Sequence, residues 1–155
     1  MGYTHYWSKE SNVDSEIYAK VFKKLAKIVT ANSKILAGGF GEKGTKPEIK
    51  NDIIFNGIED DSHETFSIPK NPDGLESFDF CKTARKEYDK VVVACLTVIH
   101  NYLKGVKVSS DGDKEELEEG RLLAEKILGE ELVNICDEVP CNSLKFIKKL
   151  KVTKK

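Results

Sequence analysis

The stretch Asp79–Asp89, DFCKTARKEYD, runs straight into the apolar run Val91–Ile99, VVVACLTVI, and its reading decides the fold. Taken as one element, the two predict a long helix from about Phe78 to Leu103. The run Val91–Ile99 is apolar nearly all round, as befits a helix covered on several sides. At its mouth stand Phe80, Cys81, Lys82, Thr83, Arg85, Tyr88 and Asp89. A segment that only packs has no need of so many hydrogen-bonding side chains there, so this stretch is the first candidate for a site.

Outward from it, shorter patterns appear on both sides. Residues Tyr3–Trp7 alternate as a strand does, with Tyr3, His5 and Trp7 on one face. Ile17, Tyr18, Val21, Phe22, Leu25, Ile28 and Val29 recur at helical spacing after a cap at Asp14 or Ser15. Asp52–Ile58 and Glu64–Ile68 read as two strands, and Val106–Ser109 as another. Ser110-Asp-Gly-Asp113 opens an acidic helix that buries Leu117, Ala124, Ile127 and Leu128 and stops at Gly129. This order predicts an α+β fold: one compact domain over residues 1–129, a mostly antiparallel sheet packed by about three helices. Residues 130–155 read as an appended segment with an amphipathic stretch, Leu144–Leu150, and a basic tail from Lys145 to Lys155.

Bulk composition narrows the function classes. The chain has 155 residues, 39 % hydrophobic and 33 % charged, with a formal net charge of −1. At this length a single domain buries roughly 70 % of the surface its unfolded chain exposes, so no staples are needed. No apolar run approaches the roughly 20 residues that span a bilayer, and MGYTHYWSKE lacks the basic-then-apolar pattern of a secretory signal. Cys81, Cys95, Cys136 and Cys141 form no C-x-x-C pair. If Cys81 and Cys95 share one helix, the helical rise holds them on the order of 20 Å apart, beyond disulfide reach. Free thiols in a cytoplasmic setting follow, with no metal site. The basic tail is read as a solvated face, so nucleic acid is not an expected partner.

Gly39–Gly44 matches G-x-G-x-x-G in letters, but Thr45 and Pro47 follow where a dinucleotide site needs a helix. It is read as a glycine loop, with the alternative of a lid. Asp111-Gly-Asp113 does not continue as a calcium hand, since Glu116 stands where glycine is required. No cofactor signature is complete.

Four clusters combine aromatic and polar side chains: Tyr3–Trp7, Phe55–Gly57 with His63–Phe66, Phe80–Arg85, and Ser109–Gly112. Small-ligand sites have this make-up. Tyr3 and Trp7 suit a planar ring. Lys82 and Arg85 suit phosphate, aided by amide donors if a helix starts at Phe80–Thr83. Asn56, Thr65, Thr83, Ser110 and Asp111 are candidate polar contacts, although Ser110 or Asp111 equally suits a helix cap. His63 and His5 are the candidate acid/base groups, His63-Glu-Thr65 matching half of a paired H-x-T phosphoesterase signature. Cys81 at a helix start would carry a lowered pKa, but no phosphatase loop follows it.

The sequences MGYTHYW, NDIIFNGI, HETF, FDFCKTARKEYD and VSSDGD, in this order over residues 1–129, resemble a family of small uncharacterised proteins from bacteriophages, large DNA viruses and some bacteria. That family usually carries proline where this chain has Glu87, and usually ends soon after the last helix. The resemblance implies a viral or phage setting and action on a host defence signal, often a modified or cyclic nucleotide. Together these readings predict a protein that holds a phosphate-bearing, nucleotide-derived small molecule. The alternatives are a nucleotide phosphoesterase using His63 and a protein–protein interaction module. The sequence leaves a homo-oligomer open.

Overall fold

The computed structural model describes residues 2–140. Cys141, the amphipathic stretch Leu144–Leu150 and the basic tail lie outside the described residues. The elements are β1 (Thr4–Lys9), α1 (Ser15–Ala31), β2 (Ile53–Phe55), β3 (Phe66–Ile68), β4 (Asp79–Lys82), α2 (Asp89–Tyr102), β5 (Val106–Ser110) and α3 (Lys114–Leu128). This is an α+β fold with two small antiparallel sheets in place of one: β4-β1-β5 and the pair β2-β3.

The decisive stretch divides. Asp79–Lys82 is a strand paired with β1, Thr4 facing Lys82 and Tyr6 facing Phe80. Its burial alternates with period two, Phe80 exposed and Cys81 buried. Ala84 and Arg85 then take left-handed backbone at φ 51 and 58, which ends the extended run. The helix begins only at Asp89. Cys81 and Cys95 therefore lie on different elements, and both thiols are free and buried. Pairing with β1 is a contact about 75 residues away in sequence, so no local pattern announces it.

Helix α2 is the centre of the core. Every residue from Val91 to Ile99 is buried. Each buried Val, Leu or Ile contributes about 1.5–3 kcal/mol, so this run is the largest local source of stability. Gly120 lets α3 approach: a Cβ there would sit 2.4 Å from Val93 Cγ1. On the inner face of the three-stranded sheet, Trp7 meets Phe66 (centroids 5.3 Å apart), Phe66 meets Phe55 (5.1 Å), and Phe55 meets Tyr88 (6.5 Å), which joins the two sheets.

Two of three helix-end signals behave as the residues suggest, and the cap of α3 is displaced. Asp14 caps α1 by accepting from Glu16 N–H and Ile17 N–H. Asp113, not Ser110 or Asp111, caps α3 through a capping box with Glu116. Gly129 ends α3 at φ 67. The segment expected to be appended packs against the domain over 130–140. Leu132 and Ile135 are buried, Lys24 and Tyr102 bond Glu130, and Asn101 exchanges hydrogen bonds with Val133.

Candidate functional site

Five chain segments meet at one corner of the three-stranded sheet: the start of β1, the end of β4 with its left-handed turn, the end of β5, and the first turns of α2 and α3. Antiparallel register sets His5 opposite both Cys81 and Ser110. His5 has no exposed surface. Its Nδ1 lies 2.7 Å from Ser110 Oγ and its Nε2 lies 2.6 Å from Asp89 Oδ1. Thr83 donates its hydroxyl to the same Oδ1. A carboxylate only accepts, so Nε2 carries hydrogen. In the neutral ring Nδ1 then accepts from the Ser110 hydroxyl. Ser110 Oγ in turn accepts from Gly112 N–H at 2.9 Å.

Tyr3 closes this corner. Its carbonyl accepts from Thr83 N–H and Ala84 N–H, and its ring stands edge-on to His5 at 5.1 Å. The Arg85 guanidinium lies 4.0 Å over the ring and its Nε donates to Glu116 at 2.8 Å. Burial pushes the Tyr3 phenol pKa up, with Asp89 and Glu116 adding to it. A Cβ at Gly112 would lie 2.3 Å from the Tyr3 hydroxyl, so glycine permits this closure. Asp111 accepts from Thr4 N–H and from the Tyr6 hydroxyl, both at 3.1 Å.

Of the residues singled out in the sequence, Tyr3, His5, Thr83, Arg85, Ser110 and Asp111 come together here. Trp7 does not: it is buried against Phe66 on the inner face and offers no ring to a ligand. Asn56 is a brace, donating to Gly39 O and His63 O and accepting from Gly57 N–H and His63 N–H. Thr65 donates to Gly39 O, and these two bonds pin the glycine loop. His63 is exposed and donates Nδ1–H to Lys82 O at 2.8 Å. Lys82 sits on the opposite face of the sheet from Trp7, because β4 and β1 alternate in register. The expected pocket between Trp7, the His63 strand and a helix start at Phe80–Thr83 is therefore not formed. Nor are those amides free donors: Phe80 N–H goes to Asp79, Lys82 N–H to Glu64 and Thr83 N–H to Tyr3.

Burial pushes the Cys81 thiol up to about 12, the reverse of the lowered pKa that a helix start would give. Among the described residues no group of three His, Cys, Asp or Glu side chains is placed to hold a metal ion.

The outer face of the sheet carries what the sequence reading missed. Tyr6 and Phe78 stack with centroids 6.1 Å apart, and Phe78 and Phe80 lie 6.0 Å apart. Phe78 is 57 % exposed and Phe80 48 %. Lys82 follows Phe80 on this face, and β5 adds Lys107 and Ser109, opposite Ser8 and Tyr6. Among the described residues no carboxylate pairs with Lys82 or Lys107. The available signal was the spacing Phe78, Phe80, Lys82, which shares one side only if this stretch is a strand.

Clefts elsewhere among the described residues include two larger ones. One of about 530 Å³ is lined by His100, Lys104, Lys107 and Cys136 among others, and one of about 440 Å³ by Val29, Leu36, Gly44 and Lys46 among others. No family model, curated protein or solved structure matches the chain.

Proposed function

We propose that the protein binds a phosphate-bearing, nucleotide-derived ligand on the outer face of the β4-β1-β5 sheet. The base stacks on Phe80, Phe78 and Tyr6, and the phosphate meets Lys82. The observation that carries this reading is the exposed aromatic group beside Lys82 on the same face, a lysine with which no carboxylate pairs among the described residues. Every nucleobase has a π-face, and stacking on an aromatic side chain contributes about 1–3 kcal/mol. A hydrogen bond to a charged group adds about 1.5–3 kcal/mol. Adjacent same-face residues on a strand lie about 6.6 Å apart, which suits a base and its phosphate. The motif resemblance adds a setting, in which such a ligand is a host signal. An open face with so few contacts favours reversible binding over a closed cage. No helix among the described residues is long and apolar enough to cross a membrane.

The phosphoesterase alternative has less support: His63, its base, gives Nδ1–H to the Lys82 carbonyl at 2.8 Å, and its H-x-T has no second copy in the sequence. The exposed aromatics also favour a second reading, a protein-docking face. A thermal-shift screen against linear and cyclic nucleotides, followed by calorimetry, separates the two. Binding by the wild type that weakens more than tenfold in Phe80→Ala/Lys82→Ala supports the ligand reading. Equal affinity in the variant overturns it, and no response to any nucleotide leaves the docking face.

A further inference from the structure

We infer that Ser110, His5 and Asp89 form a nucleophilic triad able to open esters or other activated acyl groups. This activity is independent of the binding face. It rests on a hydrogen-bond chain through three elements, β5, β1 and α2.

Each link has the direction that acyl transfer requires. Asp89 fixes Nε2–H, leaving the Nδ1 lone pair aimed at the Ser110 hydroxyl 2.7 Å away. Thr83 holds Asp89 Oδ1 from the other side, and Tyr3 braces the imidazole edge-on at 5.1 Å. The imidazole is sealed from water, while Ser110 is half-buried at the end of an edge strand. Substrate therefore reaches the base only through the serine. Gly112 N–H donates to Ser110 Oγ at 2.9 Å, so it can meet an oxyanion only once Oγ has moved onto the acyl carbon. Asp111 N–H is already given to Thr4 O. With one such donor, turnover is slow and acylation is the step to look for.

The step balances as follows. Ser110 Oγ bonds to the acyl carbon while its proton passes to His5 Nδ1, and Asp89 holds the imidazolium through Nε2–H. The bond from the acyl carbon to the leaving alcohol breaks, and the alcohol departs with the proton from Nδ1. Water entering where the alcohol left gives a proton to Nδ1 as it bonds to the acyl carbon, and the bond to Ser110 Oγ breaks as Oγ takes that proton back, which frees Ser110 and a carboxylic acid.

The test is labelling of the full chain with a fluorophosphonate, read by intact mass and peptide mapping. The triad predicts one phosphonyl group per chain, on Ser110, and none in Ser110→Ala. Asp89→Asn keeps an acceptor for Thr83, but its amide can present N–H to Nε2 and reverse the tautomer. Labelling should slow at least tenfold in that variant while circular dichroism stays unchanged. If Ser110→Ala fails to fold, Ser110→Cys serves: iodoacetamide should take Cys at position 110 much faster than Cys136. A wild-type chain that stays unlabelled, an adduct elsewhere, or wild-type labelling rates in Asp89→Asn would overturn the inference.

Discussion

Asp89→Ala is the sharpest probe of the corner, because one oxygen serves two buried donors. Oδ1 accepts from His5 Nε2–H at 2.6 Å and from the Thr83 hydroxyl. Neither donor residue has any exposed surface, so both depend for a partner on this carboxylate, itself 16 % exposed. A buried donor left without a partner costs about 1–3 kcal/mol, and two cost about 2–6 kcal/mol. Asp89 also stands in the first turn of α2, where a negative charge contributes about 0.3–1 kcal/mol. The summed loss centres at about 5 kcal/mol, which for a domain of this size lowers Tm by about 10–20 °C. Urea denaturation followed by far-UV circular dichroism measures it, with an unchanged slope as the sign that the denatured state is unaltered. Glu87→Ala, two residues away and exposed, is the control and should shift stability by less than about 0.5 kcal/mol. Asp89→Asn should fall between the two. A loss under about 1 kcal/mol in Asp89→Ala would refute the reasoning, since the donors would then have other partners.

Other consequences are equally concrete. Gly120→Ala gains about 1 kcal/mol of helix propensity but places a methyl 2.4 Å from Val93 Cγ1, so a net loss of about 1–3 kcal/mol is expected by thermal melting. Cys81 has its thiol raised from 9.0 to about 12 by burial, so folding favours the neutral form; its stability contribution is full below pH 9.0 and is lost as pH rises towards about 12. Cys81→Ala should flatten that alkaline fall in a stability-against-pH series. Glu118 is lowered from 4.5 to about 2 by Arg121 and then Asn134, so its contribution is present above pH 4.5 and disappears as pH falls towards about 2. Glu118→Gln should reduce the acid sensitivity in the same series.

Helices α1 and α3 could be read from the sequence because their apolar residues keep a single period and Asp14 and Gly129 mark two of their ends; the cap of α3 is Asp113, past the expected Ser110 or Asp111. Strands β1 and β5 showed themselves by alternation. Asp79–Lys82 hid because it abuts a run that is helical, and its pairing partner lies at the other end of the chain. That one substitution of strand for helix start moved the site. It turned Phe80 and Lys82 outward, took the backbone amides into hydrogen bonds, and raised the Cys81 pKa instead of lowering it. The convergence of Tyr3, His5, Thr83, Arg85, Ser110 and Asp111 was foreshadowed by dense polar groups at element boundaries. The role of Asp89 as their shared acceptor depends on three-dimensional placement alone. Trp7 looked available because an aromatic on a first strand can face either way; packing on Phe66 decides for the core.

Base stacking on the outer face of the sheet makes a covalent prediction. Photo-crosslinking with azido-substituted nucleotides that respond in the thermal-shift screen, mapped by peptide mass spectrometry, tests it most directly. Adducts are expected on Tyr6, Phe78 or Phe80 and disappear when unmodified nucleotide competes. Adducts confined to other surfaces, such as the cleft beside His100 and Cys136, would contradict it.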